Sequence, residues 1–278
     1  MKIGYLGPLG SYSHEAACQY ASISSDPAEC IAMPSFSAII EGVELGYLDS
    51  GVIPVENSTH GAVASAMDML VKLNKGTACG ELVLNIEHCL LNISGCIDDI
   101  KYVFSHEQAF EQCREFFFNN YPHIEFIRCS STSQACEMAQ QKGSSYGAVA
   151  GQPASQIYGL NVVEQNIQDN VFNQTRFLII GGKQSKPTGI DKTSIVFAFH
   201  DDYPGSLFGV LKAFASNGIN LTRIESRPAK HIMGKYIFYI DFSGHVEDKA
   251  STAALKEIGG QVNWLKVLGS YPVVSKIR

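Results

Sequence analysis

Ten residues, Gly182-Lys183-Gln184-Ser185-Lys186-Pro187-Thr188-Gly189-Ile190-Asp191, split the chain into two folding problems. The stretch is polar, rich in breakers and free of helical or strand periodicity, so it reads as a linker rather than part of a core. At 278 residues the chain is also longer than one typical core supports, which independently calls for two or three domains. Before the break, apolar runs near residues 3–7, 51–53, 101–104, 124–127, 146–150, 160–163 and 177–180 alternate with helical patterns. One helix is capped by Ser13, and another runs from Ser35 with Phe36, Ile39, Ile40 and Val43 on its apolar face. Strands alternating with helices imply an α/β domain with parallel sheets, and residues 81–93 read as one extended crossing between two lobes. After the break the order is strand, helix, strand, strand, helix, strand, a ferredoxin-like α+β unit.

Composition excludes some functions. A net charge of -6 argues against a general nucleic-acid binder, which needs a basic surface to displace phosphate counterions. No window approaches 18 uninterrupted apolar residues and the first residues form a strand rather than a leader, so a cytoplasmic protein without a membrane partner is expected. The eight cysteines lie in the first half with no Cys-x-x-Cys pair and no matching His spacing. They are expected to pack as reduced small apolar residues, with no metal site.

Polar residues gather where strands end, the place where open α/β sheets bind ligands. Thr175 and Arg176 open the apolar run at 177–180, offering a proton and a cation side by side to an anion. Glu56, Asn57 and Ser58 crowd the end of another strand; the alternative is a plain helix start capped by Asn57 or Ser58. Ser105, Gln108 and Gln112 share one face of a helix running to about Asn119, and its first turn suits a carboxylate. The glycine-bearing turn Pro8-Leu9-Gly10-Ser11 places backbone N–H groups before a helix.

Several of these stretches, in order, are Gly7-Pro8-x-Gly10-Ser11-Tyr12-Ser13, Val55-Glu56-Asn57-Ser58, Ser105-His106-x-Gln108-Ala109 with Gln112-Cys113, Ser131-Thr132 and Thr175-Arg176-Phe177. Pro204-Gly205-Ser206-Leu207 and Gly218-Ile219-Asn220-Leu221-Thr222-x-Ile224-Glu225-Ser226-Arg227-Pro228 follow. With these motifs the chain resembles the prephenate dehydratase family with a C-terminal ACT domain, over essentially its whole length. Glu107, Phe110, Ser11 and Ser206 stand where the family more often has Pro, Leu, Thr and Ala.

The resemblance implies a catalytic domain over residues 1–182, two α/β lobes like a type II periplasmic binding protein. Lobe one takes about 1–77 and 160–182, and lobe two about 78–159. A linker at 183–192 and an ACT domain at 193–272 complete the implied layout. It also implies a monofunctional enzyme, since strand one begins at Ile3 and leaves no chorismate mutase segment ahead of it. The implied reaction removes carbon dioxide and the ring hydroxyl from prephenate to give phenylpyruvate, and aromatisation drives it without a cofactor.

Thr175 is the implied hydrogen-bond donor to the leaving hydroxyl, relayed from Glu56 if burial raises its pKa, with His106 second. Ser11, Asn57, Ser58, Ser105, His106, Gln108, Gln112, Thr132, Arg176 and Phe177 are the implied substrate-binding set, Arg176 as carboxylate anchor. By itself Phe177 reads as core. L-Phenylalanine is the implied allosteric effector, held by Gly205, Ser206, Leu207, Asn220, Leu221, Thr222, Glu225, Ser226 and Arg227 in a homodimer or homotetramer joined through ACT domains. The alternatives are arogenate dehydratase and a non-catalytic amino-acid-sensing binding protein.

Overall fold

The computed structural model describes residues 1–24, 26–201, 203–229 and 235–273. In chain order, β1 (Lys2–Leu6) leads to α1 (Tyr12–Ile23), β2 (Glu29–Met33), α2 (Phe36–Glu44), β3 (Ser50–Asn57), the short β4 (Gly61–Ala62) and α3 (Ala64–Leu70). Then come β5 (Thr77–Asn85), β6 (Cys89–Asn92), β7 (Tyr102–His106), α4 (Glu107–Glu111), α5 (Arg114–Asn120) and β8 (Glu125–Cys129). α6 (Thr132–Lys142), β9 (Tyr146–Ala150), α7 (Pro153–Tyr158), β10 (Asn161–Glu164) and β11 (Gln174–Gly181) finish the first part. β12 (Asp191–Ala198), α8 (Ser206–Ser216), β13 (Leu221–Pro228), β14 (Tyr236–Ser243), α9 (Lys249–Gly259) and β15 (Trp264–Pro272) form the expected βαββαβ unit.

Contacts divide the chain into two compact units. One holds Met1–Ser35, Glu56–Gly61 and Leu84–Thr175; the other holds Phe36–Val55, Ala62–Val83 and the chain from Arg176 onward. β3 and β11 each carry residues of both, and within the second unit β3, β11 and β5 lie side by side.

In the first unit β1 pairs parallel with β2. A second sheet has the order β10-β6-β9-β7-β8. It is mixed rather than parallel throughout: β7 runs parallel to β8 and β9, while β6 is antiparallel to β9 and β10. Small side chains (Ala135, Cys136, Ala139, Ala148, Ala150) let α6 lie close on one face of this sheet. Phe117 and Cys113 pack with Val103 and Val149 on the other. Three of the eight thiols, Cys89, Cys113 and Cys136, are buried in this way, whereas Cys18 and Cys96 are exposed, and all eight are free. Ser11, two residues earlier than the expected Ser13, caps α1: its hydroxyl accepts the amide of His14 at 3.2 Å.

In the second unit the sheet β13-β14-β12-β15 is antiparallel and covered by α8 and α9 through Val210, Phe214, Ala254 and Ile258. Segments before the linker belong here too, which the expected boundary at 183–192 does not separate. The reason is a set of polar ties. Tyr239 donates to the Met67 carbonyl, Lys266 to the Val71 carbonyl and Thr77 to the Leu268 carbonyl, and Arg227 pairs with Asp68 at 3.0 Å. Among the described residues no helix is long and apolar enough to cross a membrane.

Candidate active site

Asn57 closes β3, and its carboxamide oxygen accepts the amides of Thr59 (3.0 Å) and His60 (2.9 Å). Those two bonds fix which end of the amide faces β11. Its nitrogen therefore donates to Asn173 Oδ1 and to Thr175 Oγ1, both at 2.9 Å. Thr175 Oγ1 is thus an acceptor toward Asn57, so its own proton must go elsewhere. The hydroxyl is kept for an outside acceptor by the geometry of its neighbour.

The order continues away from Thr175. Asn173 Nδ2 donates to Gln112 Oε1 at 3.1 Å, and His88 Nε2 lies 2.7 Å from the same oxygen. An amide oxygen only accepts, so Nε2 carries the His88 proton and Nδ1 receives the Tyr12 hydroxyl at 2.7 Å. Burial lowers the pKa of His88 despite the Gln112 bond, and burial pushes the Tyr12 phenol well above its ordinary value. Both groups are neutral at physiological pH. His60 Nδ1 lies 3.1 Å from Gln108 Nε2, 3.3 Å from Gln112 Nε2 and 3.2 Å from Asn57 Oδ1, so it meets two amide nitrogens and one amide oxygen. Beside this array a pocket of about 300 Å³ is lined by Thr59, His60, Glu111, Gln112, Asp169, Asn170 and Asn173.

Asn57, Gln108, Gln112 and Thr175 are therefore brought into one hydrogen-bonded cluster, and Ser58 flanks it by bonding Gln174 N and Phe172 O. The other expected residues serve the local chain. Ser105 is buried on β7 and donates to the His106 carbonyl, and His106 caps α4 through Gln108 N at 3.3 Å. Ser11 caps α1, and Thr132 opens α6 behind the cap Ser131. Glu56 precedes Asn57 on β3, so strand alternation turns it to the opposite face. The group that meets Thr175 is an amide, not the Glu56 carboxylate.

Arg176 is a correction. Successive residues on a strand face opposite ways, so Thr175 and Arg176 on β11 cannot both point at one ligand. Its guanidinium instead pairs with Glu81 (2.8 Å) and Asp241 (2.6 Å) and donates to the Tyr271 hydroxyl (2.9 Å). Two carboxylates already satisfy the charge an incoming carboxylate would need. Phe177, 1% exposed, is core.

In the second unit Gly205 caps α8 with φ of 97°, a backbone conformation open to glycine, and Ser206 bonds back to the Tyr203 carbonyl. Leu207 and Leu221 pack on the core. Asn220, Thr222 and Ser226 are exposed and Glu225 is half-buried. Arg227 pairs with Asp68 of α3 at 3.0 Å.

Sequence reasoning missed Tyr12, His60, His88 and Asn173. An isolated buried histidine reads as core, and only Asn173, two residues before Thr175, carried a positional hint.

A family model described as prephenate dehydratase matches residues 3–185, and an ACT domain model matches 193–260. The chain belongs to the prephenate dehydratase family. It is 41% identical over 272 residues to the bifunctional chorismate mutase/prephenate dehydratase of Aquifex aeolicus, covering 98% of this chain and 74% of that one. It is 36% identical to the prephenate dehydratase of Methanocaldococcus jannaschii, covering 97% of each. The crystal structure of prephenate dehydratase from Arthrobacter aurescens in complex with L-Phe superimposes with a TM-score of 0.87 at 30% identity, covering 98% of this chain and 90% of that one. Within the family's catalytic span lie all the residues of the cluster around Thr175.

Proposed function

We propose that this chain is a prephenate dehydratase, inhibited by L-phenylalanine through its ACT domain and assembled as a homodimer or homotetramer. The observation that carries the catalytic reading is the 2.9 Å bond from Asn57 Nδ2 to Thr175 Oγ1, which leaves the threonine proton for a substrate oxygen. Prephenate is a dianion whose ring carboxylate leaves as carbon dioxide. The electron pair of that C–C bond enters the ring as the C–O bond at the ring hydroxyl breaks. The departing oxygen takes a proton and leaves as water, and phenylpyruvate keeps one negative charge.

Thr175 supplies the hydrogen bond to that oxygen, and solvent restores any proton passed. A threonine is a weak acid, so its contribution is a fixed, desolvated donor rather than a large driving force. Asn57 and Asn173 hold it in place. Gln112 lines the neighbouring pocket and Gln108 adjoins it through His60, two carboxamides that bind carboxylate and carbonyl oxygens by directed N–H bonds. The family match and the L-Phe complex of the Arthrobacter enzyme support the regulatory half of the reading.

The test is turnover of purified chain on prephenate and on arogenate, with and without L-phenylalanine, together with Thr175→Val. Prephenate turnover inhibited by phenylalanine and lost in the variant is the expected result. A folded Thr175→Val chain with near-parental turnover would sink the assignment of Thr175, and preference for arogenate would redirect the substrate.

A further inference from the structure

Arg176 sits in a closed ring of buried groups that the reaction itself does not use. The ring spans strands from both sides of the linker: Glu81 on β5, Arg176 on β11, Ser194 on β12, Asp241 on β14 and Tyr271 on β15. Its bonds have one consistent direction. Arg176 donates to Asp241 Oδ2 (2.6 Å) and to the Tyr271 oxygen (2.9 Å). The Tyr271 proton then goes to Ser194 Oγ (2.6 Å), and Ser194 gives its proton to Asp241 Oδ1 (2.5 Å). Arg176 Nε also holds Glu81, whose carboxylate takes Lys192 Nζ at 2.8 and 2.9 Å.

Two cations and two anions balance, and each hydroxyl proton has one place to go. Burial alone would raise the Asp241 carboxyl, but the Arg176 charge and the Ser194 bond hold it below the ordinary range. Side-chain exposure is 3% for Glu81, 5% for Asp241 and 11% for Arg176, so no water replaces a lost member cheaply.

Thr175 and Arg176 share a peptide bond on β11 but face opposite ways. Pinning the guanidinium at three atoms fixes the backbone at Arg176, and with it the direction of the preceding Cα–Cβ bond. We propose that Arg176 is a positioning residue, and that the ACT sheet, by completing its ring through Ser194, Asp241 and Tyr271, sets where the Thr175 hydroxyl stands. A shift of β12, β14 or β15 would then reach the reaction through this ring. The inference rests on the assignment of Thr175 as donor made above, and it supplies that site with a route for regulation.

Tyr271→Phe and Ser194→Ala each delete one hydroxyl from the ring in the full chain. Expected in both is a fall in kcat of between about 3-fold and about 100-fold, because misplacing a catalytic group by ~1 Å costs on the order of 10²-fold. KM stays within about twofold, since an interaction felt in the transition state alone moves kcat and not uniform binding. Amide hydrogen exchange across β11 quickens as well. Arg176→Lys, which keeps the charge but loses the fork, shows the same split.

Parental kcat together with parental exchange rates in both hydroxyl variants overturns the inference. So does a rise in KM at constant kcat for Arg176→Lys, the signature of a substrate anchor. Activity of the parental chain reports on the functional reading, and hydrogen exchange over β11 reports on the ring whether or not that reading holds.

Discussion

At the scale of single residues, the decisive feature is the direction in which one amide points. Asn57 and aspartate have the same shape, yet a carboxylate at that position has only acceptors to present. In Asn57→Asp the Thr175 hydroxyl would turn inward to the new oxygen, 2.9 Å away in the parental geometry, and its proton would no longer face substrate. Turnover is expected to fall by about 10²–10⁴-fold, the worth of a positioned proton donor. Steady-state kinetics on prephenate with the near-isosteric variant checks this, and parental kcat would refute the outward-proton geometry. A second residue bears on pH. Burial, with the Glu87 charge second, raises the Glu15 carboxyl to about 7 in a polar pocket of about 310 Å³ that Gln152 and Gln156 also line. A group raised in the folded state binds its proton more tightly there than in the unfolded chain. Its stabilisation is full below the ordinary carboxylate pKa and is lost as pH rises through about 7. Thermal unfolding followed from about pH 5 to about pH 8 should show the parental midpoint dropping relative to Glu15→Gln across that window. Parallel profiles for the two chains would contradict the assignment.

At the scale of elements, what the sequence displays depends on whether the cause is local. The apolar face of α2 was legible because Ile39, Ile40 and Val43 recur at helical spacing, and all three are buried. The βαββαβ order after the linker was legible for the same reason. The helix expected to run from Ser105 to about Asn119 is instead two, broken at Gln112 and Cys113. Its cause lies far along the chain: Asp169 accepts the amides of Glu115 and Phe116 at 3.1 and 3.2 Å and gives its own amide to the Gln112 carbonyl at 2.7 Å. The extended segment at 81–93 breaks similarly, where Gln168 takes the His88 amide at 2.8 Å and the Asn173 carbonyl takes that of Ile86 at 2.8 Å. Both breaks place site residues, Gln112 and His88, and neither has a local signature. The ring around Arg176 escaped sequence reading differently, since period-two alternation alone already separates Thr175 from Arg176. An element-scale test concerns the ties between β5 and β15. A Cβ on Gly269 would overlap the Ala78 backbone and the Thr77 hydroxyl, well inside van der Waals contact and with little room to yield. Gly269→Ala should cost about 2–3 kcal/mol in urea unfolding, the scale of overpacking. An unchanged unfolding midpoint would show that β15 can lift off β5 freely.

At the scale of the whole molecule, regulation requires that an effector bind one state better than another. The exposed side chains of β13 are Thr222, Ile224, Ser226 and Pro228, alternating with half-buried ones along the whole strand. Arg223 and Arg227, on the other parity, are turned inward and bond Val55, Met67 and Asp68. An amino-acid effector is therefore offered Asn220 and the exposed parity, not the arginines. L-Phenylalanine at about 100 times its Kd should add about 2.7 kcal/mol to the folded state and raise the unfolding temperature accordingly. Asn220→Ala should lose most of that increment, whereas Arg227→Lys, which can keep its partner Asp68, should retain it. The reciprocal measurement is stricter. If phenylalanine weakens binding of phenylpyruvate, the expected product, by some factor, phenylpyruvate must weaken binding of phenylalanine by the same factor. Titration calorimetry of each ligand in the presence of the other gives both factors. Breaking the Arg176 ring with Tyr271→Phe should bring both toward one together, because the ring is where the ACT strands meet the strand that carries Thr175. Full coupling in that variant would place the connection elsewhere in the second unit.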